Sequence, residues 1–225
     1  LDGLENLEYR GYDSAGIALA DGSLSVVKRA GELVNLQAAV DGAEGSLTGS
    51  VGIGHTRWST HGPPTDDNAH PHVDCTESVA VIHNGIIENY QSLRDDLEAA
   101  GHEFRSETDT EVIPHLIEAA MADGAAFPEA FREAVGRLEG SYAVAAVAAG
   151  ADEVLAARRG SPLVLGVDDG AYYLGSDVPA FLAETNRVVY VEDGEIARIG
   201  PDGWSVTNGD GEPVSPEVRT VDWAP

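Results

Sequence analysis

The densest group of potentially reactive side chains lies in residues 54–62, which read Gly-His-Thr-Arg-Trp-Ser-Thr-His-Gly. This stretch places an arginine, an indole, hydroxyls and two imidazoles between glycines, after the strand-like run 51–53 and before Pro63-Pro64. A loop of this kind on a firm scaffold commonly carries binding residues. Arg57 keeps its charge and can hold a carboxylate through two parallel hydrogen bonds. The alternative interpretation is an ordinary polar loop with one surface arginine.

A second group follows an apolar strand that the sequence predicts to stop at Asn84-Gly85, with a helix beginning near Glu88. Gly85 has no Cβ, so its backbone N–H can approach a ligand closely. The side-chain amide of Asn84 adds a second donor, and two donors aimed at one point can form an oxyanion hole. The alternative is a plain Asn-Gly turn.

The third group is the polar run 106–111, which precedes a predicted helix over 112–122. Thr108 or Asp109 would be an ordinary N-cap for that helix. Each of the three segments therefore has a purely structural interpretation when it is taken alone. All three in one chain, in this order, favour a binding site.

With these segments in view, the chain resembles the glutamine amidotransferase domain of the glutamine–fructose-6-phosphate aminotransferase family, whose class II amidotransferases use an N-terminal nucleophile. The matching text is LEYRGYDSAGIAL at 7–19, GHTRWSTHGPPTDDNAHPH at 54–72, HNGIIENY at 83–90, FRSETDTEVI at 104–113 and RRGSPLVLG at 158–166. The resemblance covers essentially the whole chain. It implies an α+β fold, a four-layer α-β-β-α sandwich in which two mostly antiparallel sheets lie between helices.

The resemblance also implies roles for individual residues. Arg57 would bind the α-carboxylate of glutamine and Asp109 its α-ammonium group. Asn84 and Gly85 would be the catalytic oxyanion hole.

Further residues would complete the same pocket. Thr60 and His61 would line it, and Trp58 would close a mobile loop over bound glutamine. A structural or gating role near the nucleophile is implied for three others, Arg10, Tyr12 and Asp13.

The family's nucleophile is an N-terminal cysteine whose own amino group acts as the base. This sequence begins instead at Leu1, within a predicted helix over 1–7, so we expect the chain alone to be inactive. Cys75, the single cysteine, lies between acids that would raise its pKa, and it is interpreted as an incidental loop thiol. We expect residues 1–215 to be an amidotransferase domain incomplete at its N-terminus. Residues 216–225 would begin a linker to absent sugar-isomerase domains.

The implied function is the glutaminase half of an enzyme that passes ammonia from L-glutamine to fructose 6-phosphate, making glucosamine 6-phosphate for hexosamine synthesis. The implied partners are glutamine and sugar-isomerase domains of the same polypeptide, which would form a homodimer, and no cofactor is expected. Two alternatives stay open: a class II amidotransferase with a different acceptor, and a non-catalytic glutamine-binding or interaction domain.

The composition of the chain indicates the environment in which the protein works. The chain has 39 acidic and 13 basic residues, a net charge of −26, and a single lysine, Lys28. Acids spread along the chain favour adaptation to high salt over an acidic patch for a basic partner. The absence of a basic stripe argues against nucleic-acid binding. No apolar run has membrane-spanning length, and one cysteine suits the cytosol, so a cytoplasmic location away from membranes is expected.

Five histidines fall within thirty residues and raise the question of a metal: His55, His61, His70, His72 and His83. No cysteine or paired carboxylate completes a convincing ligand set with them, so hydrogen bonding is the expected role and no metal site is assigned.

Periodicity predicts many antiparallel strands and a few helices. The predicted helices are 32–40, 90–100, 110–122 and 128–138. Hairpin turns are predicted at Asp21-Gly22, Asp169-Gly170 and Asp193-Gly194. The predicted strands are 14–20, 24–29, 51–58, 78–83, 141–148, 153–158, 163–167, 171–174, 187–191 and 196–199.

Overall fold

The computed structural model of the protein describes residues 1–43 and 45–222. Five α-helices occur in this part of the chain: α1 (Asp2–Glu5), α2 (Leu33–Gly42), α3 (Tyr90–Ala99), α4 (Val112–Ala122) and α5 (Phe127–Gly136). Its strands are β1 (Ser14–Ala20), β2 (Leu24–Ala30), β3 (Val51–Arg57), β4 (His72–Val73), β5 (Val79–Ile87), β6 (Gly140–Ala148), β7 (Val154–Arg159), β8 (Val164–Val167), β9 (Tyr172–Gly175), β10 (Arg187–Tyr190), β11 (Ile196–Gly200), β12 (Gly203–Thr207), β13 (Pro213–Val214) and β14 (Arg219–Thr220).

The strands form antiparallel sheets that lie between helices. A seven-stranded sheet has the order β13-β12-β11-β7-β6-β5-β4. The second β-layer consists of a three-stranded sheet, β2-β1-β3, and a four-stranded sheet, β14-β10-β8-β9. The predicted α+β sandwich is confirmed, with its second layer divided into two hydrogen-bonded sheets.

Strand β6 shows how the layers pack, because its alternate side chains enter different cores. Tyr142, Val144 and Ala146 pack among residues of α3, α4 and α5. Ala145 and Val147 point the other way, into the core shared with β1, β8 and β10. A strand buried on both faces must be apolar at nearly every position, which explains its unbroken Ala-Val run.

Helix α5 covers the seven-stranded sheet with one apolar face. Its buried residues recur at the spacing of successive helical turns: Phe127, Ala130, Phe131, Ala134 and Val135. Pro128 falls in the first turn, where its missing N–H costs nothing. On the opposite side of the molecule, Leu33 and Leu36 of α2 pack with Leu4 and Ala15 in a smaller core.

Two local predictions were wrong. Strand β5 does not stop at Asn84-Gly85 but continues to Ile87, in register with β6. The turn at Asp193-Gly194 does not close a hairpin, because β10 pairs with β8 and β14 while β11 pairs with β7 and β12. By contrast, the 21–23 and 168–171 turns join paired neighbours.

The C-terminal stretch packs on the domain beyond residue 215. Strand β14 pairs with β10, and Val221 donates its N–H to Asn186 O at 2.9 Å. The last three positions of the predicted linker, 223–225, lie outside the described residues. No helix within residues 1–43 and 45–222 has the length and apolar character needed to cross a bilayer.

Candidate active site

Strand β3 delivers two polar side chains to the interior. Its inward face carries Ile53, His55 and Arg57, all buried, while the residues between them are more exposed. The two-residue period of a strand thus places the imidazole and the guanidinium on one face. The sequence motif contained this signal, although His55 had been assigned only a general hydrogen-bonding role.

Strand β5 brings Asn84 against that face. Asn84 Oδ1 accepts a hydrogen bond from His55 Nε2 at 2.7 Å. Burial lowers the pKa of His55 to about 4, so the ring is neutral and its one proton lies on Nε2. With the oxygen engaged by His55, the planar amide directs its NH₂ donors the other way, as an oxyanion hole requires.

Position 85 requires glycine because of its backbone conformation within strand β5, and not because it lies in a turn. Its φ is 117°, a conformation that L side chains rarely adopt. A Cβ at this position would lie 2.0 Å from the carbonyl oxygen of Ser141 on the paired strand β6. Only glycine allows this close approach of two strands beside Asn84.

Arg57 is buried, with 4% of its side chain exposed, and it holds its own loop. Nη1 donates to Pro63 O at 3.2 Å, and Nη2 donates to Gly62 O at 3.2 Å and also to His61 O. Both planar forks of a guanidinium include Nη2, and Nη2 already donates to two loop carbonyls here. A two-point grip on a carboxylate therefore requires the loop to release one of these carbonyls.

Asp109 is held by the end of β5. Its Oδ2 accepts the Ile87 N–H at 2.8 Å, while Oδ1 lies 3.8 Å from His61 Nδ1. Thr108 meanwhile contacts His72 Nε2 at 3.0 Å. Neither residue caps α4, whose N-cap position is Glu111, so the capping interpretation of both is wrong.

One cavity of about 1050 Å³ gathers most of the predicted site residues. Its wall includes Arg57, Trp58, Thr60, Asn84, Gly85 and Asp109. His61 was expected to line the pocket but does not line this cavity, although its Nδ1 lies 3.8 Å from Asp109 Oδ1. Cys75, the only cysteine of the sequence, is not part of the wall either. Burial raises the pKa of the Cys75 thiol, with further contributions from Glu118 and Asp74, which confirms the direction expected from its acidic neighbours.

The rim of the cavity is formed partly by the loop after β3. Trp58 is 69% exposed, and its ring lies against Gly11, where a Cβ would come within 2.8 Å of Cζ3. Thr60 is also exposed. Because the indole is largely exposed, moving it would sacrifice little buried apolar area.

The three residues given a structural or gating role make structural contacts. Asp13 Oδ2 accepts the Ser59 N–H at 2.6 Å and so anchors the loop after β3. Arg10 donates to Asp177 Oδ2 at 3.0 Å, beyond the end of β9. The hydroxyl of Tyr12 accepts the Leu33 N–H at 2.7 Å at the start of α2.

The buried histidines line up beside the cavity. His55 and His70 stack with ring centroids 4.1 Å apart, and His83 Nδ1 lies 2.8 Å from Thr110 Oγ1. Burial lowers the pKa of His83 to about 4 and holds those of His70 and His72 well below their usual range. His72 and His83 connect β4 and β5 to the 108–110 segment through the hydroxyls of Thr108 and Thr110, and His55 on β3 joins them by stacking on His70.

Comparison with known proteins bears on this geometry. The glutamine amidotransferase domain family model matches residues 55–183, more than half of the chain, including the end of β3, all of β5 and Asp109. The chain belongs to the glutamine amidotransferase family.

Relatives of this amidotransferase domain are longer than the chain. Glutamine–fructose-6-phosphate aminotransferase (isomerizing) of Halobacterium salinarum is 54% identical over 99% of the chain, and that of Methanothermobacter thermautotrophicus is 48% identical over 100%. The chain spans 36% and 38% of their respective lengths.

Solved structures agree on the architecture of the amidotransferase domain. The glutamine phosphoribosylpyrophosphate amidotransferase of B. subtilis superposes with a TM-score of 0.77 at 28% identity, covering 92% of this chain and 45% of that one. A glutamine aminotransferase class-II domain protein from Silicibacter pomeroyi gives 0.58 at 18% identity, covering 87% and 90%. The second likeness concerns the fold alone.

Proposed function

We propose that this domain is the glutaminase half of an enzyme that transfers the amide nitrogen of L-glutamine to fructose 6-phosphate. The observation that carries the proposal is the meeting of Asp109, Arg57 and Asn84 on one cavity. The acceptor is inferred from the printed names of the relatives, which are glutamine–fructose-6-phosphate aminotransferases.

Asp109 would select the amino-acid end of the substrate. Its Oδ2 is fixed by Ile87, so Oδ1 is held in place to accept from an α-ammonium group. Arg57 would bind the α-carboxylate, and glutamine would then displace one of the loop carbonyls that now occupy Nη2. Substrate binding and movement of the 58–63 loop would thereby be coupled, with Trp58 closing the mouth and Thr60 completing the pocket.

Asn84 and Gly85 would stabilise the charge that develops on the amide oxygen. A thiolate attacks the amide carbon, the C–N bond breaks with release of ammonia, and water hydrolyses the thioester to glutamate. Because Cys75 does not line the cavity, this thiol would come from a residue outside these 225. His55 is a positioning residue, since it acts by orienting Asn84.

We extend the proposal to the part of the full-length protein outside this domain. Sugar-isomerase domains on the same polypeptide would accept the ammonia and mediate a homodimer in the cytoplasm. The relatives have ample length for such domains, since the chain covers about a third of each.

The test is glutamate release and glucosamine 6-phosphate formation by the full-length protein in molar KCl. We expect glutamine to support both products, and the 225-residue chain alone to release no glutamate. Glutamine hydrolysis without amination of fructose 6-phosphate would point to a different acceptor. Glutamine binding without any hydrolysis by the full-length protein would refute the catalytic role.

A further inference from the structure

A second cluster of reactive side chains lies away from the cavity. It consists of Cys75 after β4, His102 after α3, and His115 and Glu118 on α4. One ligand atom from each, Sγ, Nδ1, Nδ1 and a carboxylate oxygen, lies within 4.8 Å of all the others. The five histidines considered from the sequence do not include His102 or His115, so this cluster had gone unnoticed.

The distances bracket the edges of a zinc-sized tetrahedron, from 2.8 Å for the hydrogen bond between His102 and Glu118 to 3.7 Å for the contact between Cys75 and His102. Cys75 Sγ lies 3.7 Å from His102 Nδ1 and 3.5 Å from His115 Nδ1. Glu118 Oε2 lies 2.8 Å and 3.2 Å from the same two nitrogens. Zinc bonds of about 2.0–2.1 Å to nitrogen or oxygen and about 2.3 Å to sulfur give tetrahedral edges of roughly 3.3–3.6 Å.

Surrounding groups orient the ligands as in known metal sites. His115 Nε2 lies 3.4 Å from Glu111 Oε1, so an Nε2–H donor would leave the Nδ1 lone pair facing the cluster. The Glu103 backbone N–H points at Cys75 Sγ from 3.4 Å, as suits a thiolate. A divalent cation with one thiolate, one carboxylate and two neutral imidazoles carries no net charge, which favours a partly buried site.

We propose that Cys75, His102, His115 and Glu118 bind a zinc ion in a closed, four-coordinate structural site. Mixed sulfur and imidazole ligands in a tetrahedral arrangement select zinc over magnesium or calcium. His115 is 1% exposed, whereas His102 and Glu118 are 14% and 17% exposed, so the ion has a short path from solvent.

The zinc site would cross-link three separate segments of the chain that support the cavity. Cys75 lies in the β4–β5 connection, His102 follows α3, and α4 supplies the other two ligands. Glu111, one helical turn before His115, accepts the N–H groups of Arg105 and Ser106 at 2.8 Å and 2.7 Å. The zinc ion would therefore stabilise the segment that leads into Asp109 without touching the substrate.

Cobalt substitution tests the proposal in the full-length protein. After removal of metals with a chelator, titrated Co²⁺ should give the visible bands of tetrahedral cobalt and a thiolate-to-cobalt charge-transfer band, saturating at one equivalent. Zinc should abolish both. Cys75→Ser should eliminate the charge-transfer band, and Glu118→Gln should weaken binding roughly tenfold or more.

Glu103→Gln is the matched control, because it removes a neighbouring exposed carboxylate that is not among the four ligands. It should leave the cobalt spectrum and affinity unchanged. A parent protein without the charge-transfer band, or a Cys75→Ser protein with the same spectrum as the parent, would overturn the proposal. If Cys75→Ser fails to fold by circular dichroism, the parent spectrum and the Glu118→Gln affinity decide the question.

Discussion

Replacing Asp109 with asparagine removes one charge from the cavity wall while keeping an oxygen that can accept the Ile87 N–H. Asp109 is 3% exposed, and its Oδ2 contact with Ile87 is 2.8 Å long. The asparagine is therefore expected to preserve the fold and to weaken only the contact with a cationic group. That contact is the proposed one with the α-ammonium group of glutamine.

The size of the effect follows from two opposing terms. Opposite charges 4 Å apart attract by about 4 kcal/mol at an effective dielectric constant near 20, and desolvation of both groups offsets part of this. A net charge-assisted hydrogen bond contributes about 1.5–3 kcal/mol. We therefore predict that Asp109→Asn lowers kcat/KM for glutamine by roughly 10- to 150-fold.

The assay compares glutamine with 5-amino-5-oxopentanoate, which lacks the α-amino group, as substrates of the full-length protein. The parent should prefer glutamine, and Asp109→Asn should lose most of that preference, because the analogue has no ammonium group and its binding does not depend on the charge of Asp109. Glu107→Gln removes the same charge two positions away on an exposed side chain and should retain the preference. If Asp109→Asn discriminates between the two substrates as strongly as the parent, Asp109 does not bind the α-ammonium group.

Three further predictions concern catalysis, acid and salt. Asn84→Ala should lower kcat in the glutamate-release assay by roughly a hundredfold or more, because its donor matters most in the transition state, and a rise in KM alone would contradict the oxyanion assignment. Burial lowers the pKa values of His55 and His83 to about 4, so their full contribution to the free energy of unfolding is present above pH 6.5. This contribution falls at lower pH because the unfolded state takes up protons first, and each histidine should lower the free energy of unfolding by about 2 kcal/mol at pH 5. Denaturant unfolding at fixed KCl would measure this loss, and the free energy of unfolding of His55→Gln should depend less steeply on pH than that of the parent. The same pH dependence in both proteins would show that His55 is not a source of the loss. The surplus of 39 acidic over 13 basic residues should make the domain repel itself in dilute buffer, and molar KCl should screen this repulsion as the Debye length shrinks to about 3 Å. Tm should therefore rise steeply from dilute buffer to molar KCl, and it should rise more than in sucrose of equal osmolality, which screens no charge. An unchanged Tm would favour an acidic patch for a basic partner instead.

Local sequence patterns predicted the larger elements well because those elements are set by local periodicity. Helices α2 to α5 and most strands through β11 lie within a few residues of the predicted ranges. Strand β14 depends on β10, a partner far along the chain, and the two-residue β13 is too short to show a pattern although its partner β12 is adjacent in sequence, so neither was predicted. The continuation of β5 through Gly85 likewise depends on the close approach of Ser141, which only the folded chain provides.

The candidate site was predicted in outline through the family resemblance, while its contacts were not. Motifs identified the segments that meet at the cavity, and six of the seven assigned residues line it. The hydrogen bonds from Arg57 Nη2 to its own loop and the pairing of His55 with Asn84 depend on side-chain conformations. The proposed zinc ligands are spread from residue 75 to residue 118, and only the His115-x-x-Glu118 spacing on one helix face offered a local signal.

The most direct test of the central claim is a crystal structure of the full-length protein with glutamine or its product glutamate bound. The ligand's α-ammonium group should donate to Asp109 Oδ1, and its α-carboxylate should have replaced a loop carbonyl on Arg57. The side-chain carbonyl group of the ligand should face the amide nitrogen of Asn84. An amino acid bound with its ends reversed, or bound outside this cavity, would contradict the account.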